Sequence, residues 1–120
     1  MMYSYYIKFI LLAMLSLAFI GCSGGSKNLY YWGHYEESIY SMYLEPGKLS
    51  TTDEILRLEE QIEKAKASGQ LVPPGLHAHI GYLYYNDGDY NMSVNHFQIE
   101  KNKFPESAGF IDGLLERMKK

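Results

Sequence analysis

Asp87-Gly88-Asp89 joins two stretches of helical periodicity, and this junction restricts the possible folds of the chain more than any other feature. Ile80, Leu83 and Tyr84 recur at helical spacing before it; Val94, Phe97 and the stem of Lys101 continue such spacing after it. Gly88 tolerates the left-handed conformation that ends a helix, and Asp89 can accept a hydrogen bond from the first turn of the next. The pattern therefore predicts two antiparallel helices with a tight turn between them. Within the first of these, Gly81 carries no Cβ and lets the second come close.

The stretch from Pro74 to Ser107 resembles a tetratricopeptide repeat of about 34 residues. With Pro74 in the first position, Ile80 and Gly81 occupy the Leu-Gly pair, Tyr84 the first aromatic, Gly88 the turn, Phe97 the second aromatic and Pro105 the closing proline. Three positions depart from the pattern: His77 replaces a large aromatic, and Ser93 and Glu100 replace small alanines. The resemblance implies an all-α body of tetratricopeptide-like antiparallel hairpins. One repeat cannot bury its own faces, so flanking helices must cover it.

Those flanking helices are also legible. Thr51-Thr52-Asp53-Glu54 reads as a capping box ahead of Ile55, Leu58, Ile62 and Ala65, and Gly69 ends that run. Upstream, Trp32, Tyr35, Ile39 and Met42 repeat the spacing until Glu45-Pro46-Gly47 breaks it. Downstream, Phe110, Ile111, Leu114, Leu115 and Met118 line a helix that caps the stack, with Arg117, Lys119 and Lys120 at its C-terminus, where cations suit the dipole. The expectation is about five helices in residues 29–120.

The N-terminal part has a different character. Lys8 precedes an apolar run from Phe9 to Ile20 that only Ser16 interrupts, and the chain's single cysteine, Cys22, follows Phe19-Ile20-Gly21. The run has the form of a signal-peptide apolar region. Its end resembles the bacterial lipobox, with Phe19 standing where leucine is preferred. A lone cysteine in an exported chain has no internal disulfide partner, and Ser23-Gly24-Gly25-Ser26 is flexible linker chemistry in which no core would form. Residues 1–21 are thus read as a lipoprotein signal peptide, 22–28 as a lipidated cysteine and tether, and 29–120 as the helical domain. The resemblance implies diacylglycerol and an N-acyl chain, such as palmitate, on Cys22. Ser23 in place of aspartate implies the periplasmic face of the outer membrane. The alternative is an uncleaved anchor from about Tyr3 to Ile20, slightly short of the roughly 20 residues needed to span a bilayer.

Cleavage before Cys22 would leave 99 of the 120 residues, room for one core, and removing Lys8 would change the formal charge from −3 to −4. An acidic body lacks the basic face that nucleic acid requires. Aromatics make up 15% of the chain and include 12 tyrosines, most of them expected as core or inter-helix wedges that keep one polar end.

No reaction announces itself. A Ser-x-x-Lys motif and a phosphate-cradling glycine loop are missing from the sequence, and no catalytic residue is assigned. His77 and His79 sit about 200° apart around a helix axis, unlike the four-residue spacing of zinc enzymes, and no metal or other cofactor is expected.

Two segments exceed what helix boundaries need: Tyr31-Trp32-Gly33-His34-Tyr35-Glu36 and Val72-Pro73-Pro74-Gly75-Leu76-His77-Ala78-His79. Together with Glu100-Lys101 and Phe104-Pro105-Glu106-Ser107, they resemble a family of small, uncharacterised bacterial lipoproteins with a conserved domain of unknown function. The resemblance implies companions in a multi-part envelope assembly: a lipoprotein similar to the curli-secretion pore and a second small lipoprotein. Trp32, Tyr35, His77 and Tyr84 are expected to border a concave groove in which an extended segment of a partner lies. The bland reading is that Pro73 and Pro74 stiffen a turn and Pro105 starts a helix. The functional expectation is a non-enzymatic outer-membrane lipoprotein serving as an adaptor or assembly factor for an envelope protein complex. The alternative is a cell-wall-binding or regulatory lipoprotein whose groove holds peptidoglycan.

Overall fold

The computed structural model describes residues 1–17 and 28–119. The fold is all-α: α1 (Met2–Leu17), α2 (Tyr35–Leu44), α3 (Thr51–Ser68), α4 (Leu76–Asp87), α5 (Tyr90–Lys103) and α6 (Ala108–Met118), the last entered through a single 3-10 turn, Pro105–Ser107. Cys22, the Phe19-Ile20-Gly21 ahead of it and tether residues 23–27 lie outside the described residues. Among the described residues, no helix is long and apolar enough to cross a membrane.

Local chemistry sets the helix ends. The cap of α3 is Ser50, one residue before the expected box: its hydroxyl accepts from the Asp53 N–H at 3.1 Å and donates to the Asp53 carboxylate at 2.7 Å. Gly69 closes that helix at φ 67°. Gly88 ends α4 at φ 88°, and the Asp89 carboxylate accepts from the Met92 N–H at 3.0 Å to open α5. By contrast, α2 begins only at Tyr35, so Trp32 stands outside the helix that its spacing suggested. The backbone turns at Gly33 (φ 45°), and the His34 N–H is held by Gln61 Oε1 at 2.9 Å.

Two antiparallel hairpins result. Residues 34 and 37 of α2 and its approach meet residues 61 and 57 of α3. In the second hairpin, Ser93 Oγ of α5 donates to the Gly81 carbonyl of α4 at 2.7 Å. A Cβ on Gly81 would lie 3.0 Å from the Phe97 ring and 3.1 Å from the Ser93 carbonyl oxygen. Phe97 is enclosed and the carbonyl belongs to a helix, so neither can retreat, and glycine is required there. This contact also fixes the rotation of α5. Its buried face is Ser93, His96, Phe97 and Glu100, leaving Val94, expected on the apolar stripe, 40% exposed.

The core gathers Ile55, Leu58 and Ala65 of α3, Val72 of the following connection, and Leu76, Ile80 and Leu83 of α4; Tyr31, Tyr35, Ile62 and Tyr84 pack around it. The tyrosines therefore divide. Tyr31, Tyr35 and Tyr84 are wedges, whereas Tyr40, Tyr43, Tyr82, Tyr85 and Tyr90 face solvent, beyond what a packing role explains.

Polar side chains tie residues 28–34 to this core. Gln61, buried on α3, donates from Nε2 to the Trp32 carbonyl at 2.8 Å and the Tyr31 carbonyl at 3.2 Å. The Tyr31 N–H donates to the Leu71 carbonyl and the Leu71 N–H to the Leu29 carbonyl, a parallel bridge centred on Tyr30 and Leu71. Gln70 Nε2 adds a bond to the Asn28 carbonyl at 2.8 Å.

A candidate docking groove

Helices α2, α4 and α6 each turn one face toward a shared cleft of about 580 Å³. Ile39, Met42 and Tyr43 come from α2, Ala78, His79 and Tyr82 from α4, and Phe110 and Leu114 from α6. The spacing within each helix is three or four residues, or adjacent, so each contributes a single stripe. Tyr43 (74%), Phe110 (64%) and Tyr82 (46%) are well exposed and line an open surface.

His79 forms part of the floor. It is buried, and its Nε2 lies 3.0 Å from Glu54 Oε1, which fixes the imidazole plane. The Tyr35 ring packs 6.2 Å from the His79 ring, and Trp32 stacks on Tyr35 at 6.4 Å with 13° between planes. Burial, with the Glu100 charge adding to it, raises the Tyr35 hydroxyl above its ordinary pKa, so it stays a neutral donor. Gly75, at φ 90°, makes room for that hydroxyl, which a Cβ would approach to 2.6 Å.

The other two expected border residues lie elsewhere. His77 is buried between α4 and α5, with Nδ1 3.2 Å from Nδ1 of His96 and its Nε2 without a partner. Tyr84 lies against the His96 ring at 5.6 Å and donates to Glu59 Oε1 at 2.8 Å. Burial first, then the Glu59 bond and charge, push the Tyr84 hydroxyl up to about 12. Burial, the neighbouring His96, Lys103 and Lys66 bring His77 down to about 4. The expected quartet thus separates into Trp32 and Tyr35 beside His79, and His77 and Tyr84 beside His96. His77 faces His96 between α4 and α5 and is not among the side chains that line the groove. Among the described residues, no group of three or more His, Cys, Asp or Glu side chains comes together to hold a metal.

A family model described as a domain of unknown function, DUF4810, matches residues 29–114. The chain belongs to this family. The DUF4810 segment starts at the bridge that fixes residues 29–31 and ends at Leu114, so it contains every residue lining the groove. No curated protein and no solved structure matches the chain. Sequence reasoning missed Tyr43 and Tyr82 as groove residues of this DUF4810 body. The available signal was their position off the buried register, where a large aromatic has no packing task.

Proposed function

We propose that this chain is a lipid-anchored lipoprotein on the periplasmic face of the outer membrane. Its helical body acts as a non-enzymatic adaptor or assembly factor for an envelope protein complex. The observation carrying the adaptor reading is the open groove across α2, α4 and α6. It offers three exposed aromatic rings, aliphatic flanks and a fixed imidazole, which suits recognition of a peptide segment through anchors and a few placed polar groups. Two hairpins followed by a lone α6 support a tetratricopeptide-like reading, in which the first helices of successive pairs line the binding face. The resemblance to companions of a curli-pore-like lipoprotein nominates that protein as the occupant.

Two experiments test this reading. The anchor depends on Cys22, so the Cys22→Ala chain should accumulate uncleaved or soluble; a variant still found at mature size in the outer membrane sinks the lipobox. The groove depends on exposed rings. Co-expression with the curli-pore-like lipoprotein, followed by purification from detergent-solubilised membranes, should recover both proteins in fixed ratio. Tyr82→Ala with Phe110→Ala should reduce that recovery at least tenfold, about the effect of losing one good anchor. Undiminished recovery would place the contact elsewhere, and recovery of peptidoglycan in place of the protein would favour a cell-wall-binding role.

A further inference from the structure

The framework around Leu71 presents apolar side chains that the fold does not use. Leu29 is 63% exposed, Leu71 54% and Trp32 41%, while the Tyr30 ring meets the Trp32 ring edge-on at 6.2 Å. The bridge between residues 29–31 and Leu71 is made by main-chain groups alone, and Gln61 grips the main-chain carbonyl of Trp32. Polar side chains at positions 29 and 71 would serve the fold as well. Yet Leu71, paired with Tyr30 across the bridge, and the chain's single tryptophan, whose ring meets that of Tyr30, share one face of a backbone held by Gln61, Gln70 and the bridge.

We propose that Tyr30, Trp32 and Leu71 form a knob that rests in the headgroup and upper acyl region of the bilayer carrying the anchor. The docking rests on the lipidated-Cys22 reading. Its occupant follows from chain length. Seven residues separate Cys22 from Tyr30, so a fully extended chain keeps the start of the knob within roughly 30 Å of the lipidated residue. Tryptophan and tyrosine suit the bilayer interface because each joins an apolar ring to a polar edge. An apolar protein contact adds to the hold of the acyl chains that the lipobox reading places on Cys22. The body is then held against the membrane in one orientation.

Trp32 reports on this directly, since all tryptophan emission comes from it. The full-length protein, processed in a bacterial host, is purified and reconstituted into phosphatidylethanolamine–phosphatidylglycerol vesicles whose acyl chains carry bromine near the headgroup. Bromine should quench Trp32 at least twofold in the floating fraction, and aqueous iodide should quench it little. Tyr30→Ser with Leu71→Ser should reverse that preference while the protein still floats. A wild-type protein that floats yet is quenched by iodide and not by bromine overturns the docking alone. Failure of the wild type to float overturns the anchor and the docking with it. Quenching that rises with protein density and ignores bromine assigns the knob to a second copy and also overturns the proposal.

Discussion

Glu100→Ala should lower the thermal unfolding midpoint by about 15 °C. Gly75, the N-cap of α4, has no side chain with which to receive the first-turn donors. Glu100 of α5 reaches across the hairpin in its place: its carboxylate accepts from the Gly75 N–H at 2.7 Å and the Ala78 N–H at 3.2 Å, with the His77 N–H contributing as well. Truncation leaves these donors at a buried helix end without an acceptor, at a cost of roughly 3 kcal/mol. For a domain of this size, that corresponds to about 15 °C. Glu100→Gln keeps an acceptor oxygen and should lose about half as much. A circular-dichroism melt of the two variants decides it; a Glu100→Ala midpoint within about 3 °C of wild type would show that water replaces the carboxylate.

Acid destabilises the same hairpin through its paired imidazoles. Burial chiefly depresses both rings, and His77 falls to about 4. Lys66 and Lys103 disfavour a charged His77, while Glu59 acts in the opposite direction on His96. With Nδ1 atoms 3.2 Å apart, one ring must donate and the other accept, so a second proton breaks the contact. The unfolded chain takes up protons near pH 6.5 and the folded chain does not, so stability is fully present above pH 6.5 and is lost as pH falls toward about 4. His77 alone accounts for roughly 2–3 kcal/mol. Glu100 carries the opposite sign, because burial raises its carboxyl and its unfavourable ionised form is relieved in acid. Denaturant midpoints between pH 7 and pH 4 measure the balance. Replacing His77 and His96 together by leucine should flatten the profile; an unchanged slope would assign the acid sensitivity to other groups.

These two predictions rest on residues whose roles were opaque in the sequence. The helices themselves were legible because Gly69, Gly88 and Asp89 act within a few residues of the ends they set. The apolar face of α3 was equally plain, since Ile55, Leu58 and Ala65 repeat at helical spacing. Gln61 and Glu100 are different. Each is a polar residue on a helix, an ordinary surface choice, and each is buried because its partners are main-chain groups 22 to 30 positions away. The resemblance to a repeat marked Glu100 as a departure from a small alanine. Only the proximity of a glycine-capped helix explains why a carboxylate belongs there. The groove was displaced for a related reason: His77 and Tyr84 turn toward α5, a rotation set by the close contact of Gly81 with Phe97.

The ties that hold residues 28–34 have a consequence in time. The long-range bonds fixing that segment across the fold come from Gln61, Gln70 and Leu71, which the ribosome adds some 30 to 40 residues later. Until then those distant partners do not exist, whereas α4 and α5 find each other across a two-residue turn. Local closure is the faster event. The body therefore assembles backward along its own chain, and residues 28–32, made before the rest of it, are the last to be set in place.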